Sequence, residues 1–481
     1  MSKILVGRKE EISILQEALQ SDEAEMVSVI GRRRVGKTFL IKTIYKEVID
    51  FELTGLQDAP RSEQLRNFAF QLNKFAKPSI PTKPPSDWLD AFMTLITYLE
   101  TKQKKEKLVI FLDELSWMAT HKSGFLRGLS FFWNSWATNQ QIVVVICGSA
   151  ASWMIQKVVN HRGGLHNRIT KRIRLEPFTL AETEAYLKGR KVFYDRYQIV
   201  LLYMAMGGIP HYLKEVKSAR SAIQNIEQIC FSKKGLLQDE FSRLYPALFA
   251  NAEKHMEVIK VLSAYKSGIT RPMLAQKLTF KEGGTLKKIL EELAYSGFID
   301  TYRPYGKKKK EQLYRLTDEY SLFYLKFIVD NIHEGKDSWQ QLSQTQIFKT
   351  WSGYAFENIC FKHIPQIKKT LGISGVYSQS SSFYKKGTAT QKGTQIDLLI
   401  DRNDHVINLI EVKFYNETFV LSKQYAAELR EKMGVFRRTT ATKKYLTWVL
   451  LTTFGVNHNQ HSLGLVQNVL TLDDLFEVDQ N

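Results

Sequence analysis

Residues Met26–Ile44 read MVSVIGRRRVGKTFLIKTI, and this stretch decides the fold of the N-terminal part of the chain. An apolar, β-branched run meets the loop Gly31–Thr38, and an apolar segment of helical period begins at Phe39. The order is therefore strand, loop, helix. The loop fits the pattern G-x-x-x-x-G-K-[ST], in which backbone amides and the N-terminus of the following helix face a polyphosphate.

Each residue type in this loop has a chemical reason. Gly31 and Gly36 permit backbone torsions and a close approach that a Cβ would prevent. Lys37 supplies a mobile positive charge for the β- and γ-phosphates, and the Thr38 hydroxyl is a ligand for Mg²⁺. A chance match in a turn is the alternative, and the strand before the loop and the helix after it favour the motif. The predicted nucleotide-binding set also contains Arg34, Val35 and Phe39.

The composition indicates a multidomain chain with a polyanionic partner. Its 481 residues suffice for about three domains, and 68 Lys+Arg against 49 Asp+Glu give a formal charge of +19. Such an excess predicts nucleic acid as a partner, whereas a generally basic surface is the alternative.

The cysteines and the apolar runs bear on the compartment. Cys147, Cys230 and Cys360 lie far apart without a C-x-x-C pair, which indicates neither a disulfide framework nor a Cys-rich zinc site. No run approaches the roughly 18 apolar residues of a membrane span, so no membrane partner is expected. The expected location is cytoplasmic.

Two further apolar runs end in polar residues. The run from Leu108 ends in Asp113-Glu114, and it predicts a buried parallel strand whose carboxyl end opens on the phosphate site. Asp113 would hold Mg²⁺ and Glu114 would deprotonate the attacking water, whereas an ordinary strand end is the alternative. The run Ile142 to Cys147 leads to Ser149, which is predicted either to contact the γ-phosphate or to be a plain turn residue.

A basic segment downstream contains candidates for an arginine that stabilises transition-state charge, which a neighbouring subunit often supplies. Arg168 is the candidate among four arginines, and a solvated basic face is the simpler alternative. The other three are Arg162, Arg172 and Arg174.

Residues 1 to 235 resemble the prokaryotic, archaeal-type ATPases related to AAA+ and STAND proteins. The resemblance rests on Gly7-Arg8 with Glu10-Glu11, the P-loop, Asp113-Glu114, Gly148-Ser149 and Gly207-Gly208-Ile209-Pro210. It implies ATP and Mg²⁺ as cofactors, and it implies that Gly7, Arg8 and Pro210 lie at the adenine side.

From Asn251 the pattern changes to three short helices followed by two strand-like pieces, which predicts a winged helix. The connection between the strands contains Lys307 to Lys310, which would lie at the wing tip and suit phosphates. A packing module with a solvated hairpin tip is the alternative.

The C-terminal part contains a predicted hairpin with charged residues. Asp397 lies in its first strand, whereas Glu411 and Lys413 project to one face of the second. Glu357 lies on a preceding helix. The carboxylates are hard oxygen ligands of the kind that Mg²⁺ prefers, and Lys413 can hold the nucleophilic water. Lys423, Gln424 and Tyr425 open the next helix and either contact DNA or form an exposed face.

Residues 350 to 481 resemble the PD-(D/E)xK nuclease superfamily, in particular the DEXX-box nuclease-like domain that follows archaeal-type ATPases. The resemblance implies that Asp397, Glu411 and Lys413 are catalytic. It also implies that Glu357, Asp397 and Glu411 bind Mg²⁺, with Mn²⁺ as a substitute.

The sequence thus predicts an α/β chain: a P-loop NTPase parallel sheet with a helical lid, a winged-helix domain, and a C-terminal α/β restriction-endonuclease-like domain. The predicted function is an ATPase, with Glu114 and Lys37 catalytic, that couples nucleotide state to DNA binding and to phosphodiester cleavage. A nucleotide-switched DNA-binding or regulatory protein with an inactive nuclease fold is the alternative, and a homo-oligomer is an option. The predicted domains are 1–180 (ATPase core), 181–250 (lid), 251–320 (winged helix), 321–348 (connecting helix and linker) and 349–481 (nuclease-like domain).

Overall fold

A computed structural model describes residues 5–102, 107–155, 165, 167–280, 283–331, 338–387 and 393–477. The chain divides into two compact units. The first consists of Met1–Pro177, Ala247–Ala250 and Glu291–Gly297, and the second of Phe178–Pro246, Asn251–Leu290 and Phe298–Asn481. In the part of the chain that the structure describes, no helix has both the length and the apolar character needed to cross a membrane.

The first unit is an α/β fold, as predicted. Its elements are α1 (Lys9–Gln20), β1 (Glu25–Ile30), α2 (Lys37–Ile44), β2 (Ile49–Thr54), α3 (Arg61–Ala76), α4 (Trp88–Glu100), β3 (Leu108–Asp113), α5 (Leu115–Met118), α6 (Phe125–Ser135), β4 (Ile142–Gly148), α7 (Ala151–Met154) and β5 (Lys171–Arg174).

These strands form one parallel sheet in the order β2-β3-β4-β1-β5. Every residue of β3 and β4 is buried, as the unbroken apolar runs predict for strands covered on both faces. Helices α4 and α6 pack against each other through aromatic rings, and Trp88 meets Phe125 edge-on at 4.7 Å. Asp87 caps α4 by accepting hydrogen bonds from the amides of Leu89 and Asp90.

From residue 178 to residue 331 the chain is mainly helical. Its elements are α8 (Leu180–Gly189), α9 (Arg196–Met206), α10 (Pro210–Leu213), α11 (Ala222–Ile226), α12 (Glu240–Leu244), α13 (Ala252–Ser263), β6 (Ile269–Thr270), α14 (Arg271–Ala275), α15 (Gly283–Tyr295), β7 (Ile299–Tyr302), β8 (Leu313–Leu316) and α16 (Glu319–Phe323), with π-helical turns at Glu227–Phe231 and Tyr324–Ile328.

The segment predicted as a winged helix contains an antiparallel sheet in the order β6-β8-β7. Helices α13, α14 and α15 precede the hairpin of β7 and β8, so the elements follow the predicted order. In the connection between these strands, Lys307 lies 3.2 Å from Glu311. The winged-helix assignment itself stays a prediction.

The remaining elements are α17 (Ser338–Leu342), α18 (Gln346–Lys362), α19 (Ile364–Thr370), β9 (Ser378–Lys385), β10 (Thr394–Arg402), β11 (Val406–Lys413), β12 (Phe419–Val420), α20 (Lys423–Thr440), β13 (Tyr445–Thr452), β14 (Val456–Asn457) and β15 (Val466–Leu470). A five-stranded mixed sheet has the order β15-β13-β11-β10-β9. Its strand β11 is antiparallel to β10 and parallel to β13. The predicted hairpin is therefore present, and it lies inside a larger sheet.

One predicted connection is wrong in its detail. Residues 333–346 read as a polar linker, but α17 lies within this range and α18 already begins at Gln346. The reason is Trp339, which is buried and stacks on Phe231 at 5.5 Å while it meets Phe323 edge-on at 4.8 Å. His333 lies outside the described residues.

Candidate functional site

The loop after β1 has the backbone that the P-loop pattern requires. A Cβ added at Gly31 would lie 2.3 Å from the carbonyl oxygen of Leu175, so a larger residue would collide with the backbone beside it. Gly36 has a φ of 101°, which L-residues rarely adopt, and α2 begins at the next residue. The loop amides and the first turn of α2 therefore belong to one anion-binding arrangement.

The Lys37 ammonium is buried inside this loop. It donates hydrogen bonds to the carbonyl oxygens of Gly31 at 2.9 Å and of Arg32 at 3.0 Å, and to Ser149 Oγ at 3.2 Å. These neutral acceptors compensate the buried charge only in part. A triphosphate would offer Lys37 charged acceptors in their place, which form stronger hydrogen bonds.

A second set of hydrogen bonds joins the ends of β3 and β4 to α2. Thr38 Oγ1 donates to Asp113 Oδ2 at 2.7 Å, so the hydroxyl and the carboxylate converge as two hard oxygen donors. This pair fits the ligands that Mg²⁺ prefers, and a bound Mg²⁺ would be held by Thr38 and Asp113. Glu114 Oε1 accepts from Ser149 Oγ at 2.6 Å, and its Oε2 accepts from the Ser149 amide at 3.2 Å.

The structure thus brings Lys37, Thr38, Asp113, Glu114 and Ser149 together at the carboxyl ends of β1, β3 and β4. Ser149 joins the lysine to the glutamate, so it is more than a plain turn residue. Val35 is buried, whereas Arg34 and Phe39 are half-buried. Arg32 is also buried.

The predicted adenine-side residues divide between the two units. Gly7 and Arg8 have φ values of 63° and 60°, and the Arg8 guanidinium donates to the Glu176 carbonyl at 2.7 Å. Both belong to the first unit. Pro210 opens α10 in the second unit, and its nucleotide-binding role stays a prediction.

Arg168 lies at the wrong end of the sheet for its own phosphate loop. Its neighbour Thr170 hydrogen-bonds to Met26 at the start of β1, whereas the P-loop follows the end of that strand. The length of β1, about 20 Å for six residues, separates the start of this strand, near Arg168, from the P-loop at its end. A role for Arg168 at a γ-phosphate would therefore concern a neighbouring subunit. Arg162 lies outside the described residues.

Comparison with known proteins agrees with this geometry. Residues 5–216 match the model of a family described as an ATPase domain predominantly from Archaea. The N-terminal part of the chain contains an ATPase domain of the archaeal P-loop type. Such an ATPase domain implies the use of a nucleotide and usually of Mg²⁺.

One relative matches this chain beyond the ATPase domain. An uncharacterized protein of Methanocaldococcus jannaschii is 23% identical over 423 residues, which are 85% of this chain and 88% of that protein. The Walker-type ATPase of Pyrococcus abyssi is 17% identical with a TM-score of 0.49, covering 67% of this chain and 96% of that one. The ORC2 protein of Aeropyrum pernix is 16% identical with a TM-score of 0.43, covering 72% of this chain and 98% of that one.

A second charged site lies on the C-terminal sheet. Asp397 and Glu411 occupy neighbouring antiparallel strands, β10 and β11. Glu411 is buried, whereas Asp397 and Glu357 of α18 are half-buried. Asp397 Oδ2 accepts a hydrogen bond from the Val412 amide at 3.2 Å. The strand β10 changes register between Ile396 and Leu399, so the irregularity falls at Asp397 itself.

Glu411 is surrounded by cationic and hydroxyl donors. Lys413 Nζ lies 3.1 Å from its Oε1, and Lys432 Nζ donates to both carboxylate oxygens at 2.9 and 3.0 Å. The Tyr425 hydroxyl donates to Oε1 as well. Tyr425 is therefore half-buried rather than part of a fully exposed face, and a DNA contact of this residue stays a prediction.

The three carboxylates have different proton affinities. Burial, followed by the charges of Glu411 and Glu357, raises the pKa of Asp397 well above its ordinary value. Burial also raises the pKa of Glu357, which Arg315 only partly offsets. Burial acts on Glu411 too, but Lys413 and Lys432 outweigh it and lower the pKa of that carboxyl. Cationic contacts therefore outweigh burial at Glu411, whereas burial outweighs the partial compensation at Asp397 and Glu357.

The predicted three-acid metal site is not preformed. Within the described ranges, no group of three or more His, Cys, Asp and Glu side chains has the geometry to hold a metal ion. Lys432 and Tyr425 engage the Glu411 carboxylate instead. The metal-ligand roles of Glu357, Asp397 and Glu411 stay a prediction.

Sequence reasoning missed Arg315 and Lys432, and it named Tyr425 without its contact with Glu411. Tyr425 and Lys432 lie seven residues apart on α20, which is a two-turn repeat that places them on one helix face. That spacing beside a predicted acidic hairpin is a usable signal. Arg315 comes from β8, and no local pattern links it to Glu357, although its Nη2 lies 3.9 Å from Glu357 Oε2.

We expect Asp397→Asn to stabilise the metal-free protein at pH 8 by roughly 1–3 kcal/mol, and by less at pH 5. A raised pKa in the folded state means that folding takes up a proton, so the stability contributed by Asp397 is lost as the pH rises above the ordinary aspartate range. Asparagine carries no such charge. Thermal unfolding in EDTA across this pH range measures the difference.

Asp404→Asn is the matched control in the same hairpin, because Arg402 lowers the pKa of Asp404 and its replacement brings no gain. A parent that is at least as stable as Asp397→Asn at every pH would contradict the assignment of a charge that burial disfavours.

Proposed function

We propose that this protein is a Mg²⁺-dependent ATPase whose nucleotide state controls the binding of DNA and its cleavage by the C-terminal domain. The observation that carries the ATPase part is the hydrogen-bonded set of Lys37, Ser149, Glu114, Asp113 and Thr38. It joins a phosphate-binding loop, a Mg²⁺ ligand pair and a general base at one edge of a parallel sheet.

In this proposal the loop amides and Lys37 bind the β- and γ-phosphates. Lys37 exchanges the carbonyls of Gly31 and Arg32 for phosphate oxygens. Glu114 accepts a proton from the attacking water, whose oxygen forms a bond to the γ-phosphorus while the bond to the β–γ bridging oxygen breaks. Ser149 hydrogen-bonds to both Lys37 and Glu114, so a γ-phosphate at this point would change the orientation of the glutamate.

DNA as a partner is supported by charge and by the middle segment. The chain carries a formal charge of +19, and Lys307 to Lys310 lie exposed between β7 and β8. A hairpin tip with such lysines suits phosphate contacts, as expected for the wing of a winged helix. A homo-oligomer would let Arg168 reach the γ-phosphate of a neighbouring subunit. The three cysteines are unpaired and buried, which is consistent with a cytoplasmic location.

For cleavage we propose Asp397, Glu411 and Glu357 as metal ligands and Lys413 as the residue that holds the attacking water or the developing phosphate charge. A divalent cation bound there would neutralise the phosphate and lower the pKa of a bound water. Lys432 and Tyr425 would keep the Glu411 carboxylate ionised and oriented.

Coupling between nucleotide and DNA is supported by aromatic contacts within the second unit. Tyr197 of α9 stacks on Phe414 with ring centroids 5.3 Å apart and an interplanar angle of 4°. Phe414 directly follows Lys413 and contacts Phe356, which directly precedes Glu357, at 5.2 Å. A shift of α9 would therefore act on the backbone next to both site residues. The C-terminal end of α9 leads into the turn that contains Pro210.

A regulatory DNA-binding protein without cleavage is the second candidate. The observation that favours it is the double lysine contact of Glu411, which compensates this carboxylate without a metal. This candidate predicts ATP-dependent affinity with a steep salt dependence and no metal-dependent nicking.

We expect Lys37→Ala to abolish nucleotide binding, because the loop loses the lysine that is placed for the β- and γ-phosphates. Glu114→Gln should keep binding and reduce turnover by roughly 100-fold or more, because it removes the base. Phosphate release and binding of a labelled ATP analogue measure the two effects. Lys42→Ala, on the same helix but paired with Glu52, is the control. Persistent hydrolysis in Glu114→Gln would mean that another base is used.

Nicking of DNA in Mg²⁺ or Mn²⁺ tests the nuclease proposal directly. The parent should cut, whereas Asp397→Ala and Lys413→Ala should reduce the rate by at least about 100-fold, because each removes a group that acts on the reacting phosphate. Lys443→Ala, at an exposed lysine between α20 and β13, is the control. Equal activity in the parent and in both site variants would refute this site, and no cutting by the parent would favour the regulatory candidate.

Tyr197→Ala should uncouple the two activities. We expect ATP turnover to be retained while the ratio of cleavage rates with and without ATP falls toward one, since the stack on Phe414 is lost. Tyr197→Phe keeps the ring and should keep the ratio. A ratio that is unchanged in Tyr197→Ala would show that the coupling, if present, runs through other contacts.

A further inference from the structure

The second unit contains a cavity of about 1390 Å³ next to the C-terminal charged site. One wall comes from the segment around β6, β7 and β8, and the other from α18 and the sheet strands β9, β10 and β11. Glu357, Asp397 and Lys413 belong to the lining. We propose that this cavity, the cleft, binds a single strand of nucleic acid, an inference that rests on the proposed function of the same site.

The first argument is Arg315, which lines the cleft from β8 and is only 5% exposed. The rings of Tyr354 and Phe361 lie 5.2 Å from its guanidinium carbon and fix its position. Its Nε and Nη2 have no hydrogen-bond partner among the described residues, and Glu357 Oε2 lies 3.9 Å from Nη2. Buried donors left without acceptors are costly, and a phosphate oxygen at the cleft would satisfy them.

The second argument is the aromatic lining. Tyr384 and Tyr415 are 53% and 49% exposed, and both line the cleft. Exposed rings beside lysines such as Lys266 and Lys307 form the combination that binds unpaired bases by stacking and the backbone by charge.

The third argument distinguishes a single strand from other ligands. The volume of about 1390 Å³ exceeds the roughly 300–1,000 Å³ of small-molecule pockets. In a duplex the bases are stacked on each other, so rings such as Tyr384 and Tyr415 cannot stack on them without strand opening. A single strand can present both its bases and its phosphates to the cleft.

Fluorescence anisotropy with the full-length protein tests this inference in EDTA, where cleavage does not interfere. The probes are a short labelled DNA strand, the RNA strand of the same sequence and the corresponding DNA duplex. We expect a single strand to bind at least about tenfold more tightly than the duplex. Tyr384→Ala and Tyr415→Ala should each weaken single-strand binding by about tenfold and leave duplex binding unchanged.

Tyr377→Ala is the matched control, because Tyr377 is 73% exposed and does not belong to the cleft lining. Arg315→Gln should weaken binding of the single DNA strand and of the single RNA strand. If this buried variant does not fold, the variants of the exposed tyrosines still test the inference. Selective binding of either single strand that depends on the tyrosines supports the cleft. Duplex binding as tight as single-strand binding, or unchanged affinity in both tyrosine variants, overturns it.

Cleavage in Mg²⁺ separates the two proposals. Tyrosine-dependent single-strand binding without any cleavage by the parent refutes the nuclease and retains the cleft. Duplex cleavage that requires Asp397 but is unaffected by Tyr384→Ala and Tyr415→Ala retains the nuclease and refutes the cleft.

Discussion

The hydrogen bonds of Ser149 to Lys37 and to Glu114 are the interaction on which the proposed chemistry depends. They connect the phosphate-binding lysine to the candidate base through a single side chain at the carboxyl ends of β1, β3 and β4. The buried apolar runs of β3 and β4 hold these residues in position, since each strand is covered on both faces. A change at the γ-phosphate would therefore alter the contacts of Lys37, of Glu114 and of Ser149 at the end of β4 together.

Strong local patterns predicted much of this molecule. The P-loop, β3, β4 and the hairpin of β10 and β11 follow from continuous apolar runs or from fixed glycine and lysine spacing. The strand β2 reads IDFELT, and its mixed composition does not show the pattern of a strand, although the chain pairs with β3 at the edge of the sheet. Contacts between residues distant in sequence could not be predicted in this way. Arg315 and Glu357 are 42 positions apart in the sequence, and no local pattern links them. The end of the sheet at which Arg168 lies follows from the strand topology alone.

The C-terminal charges illustrate a conflict between stability and function. Burial raises the pKa of Asp397 and of Glu357 more than the neighbouring cations lower it, so the ionised form of each is disfavoured. Carboxylates perturbed in this way are common at functional sites. Glu411 differs because Lys413 and Lys432 balance it. The pKa is therefore raised at Asp397 and Glu357 and lowered at Glu411. Such a divergence is expected where neighbouring carboxylates have separate roles.

His363 at the end of α18 has a consequence for how the chain can be divided. Its Nε2 accepts a hydrogen bond from the Leu180 amide at the start of α8, and burial lowers its pKa to about 4, so the ring is neutral. Tyr203 of α9 packs edge-on against the same imidazole. A fragment that ended before α18 would leave this amide and these aromatic faces uncovered. The helices after Pro177 and the C-terminal sheet belong to one compact unit, so a division of the chain directly after the ATPase domain would cut through that unit.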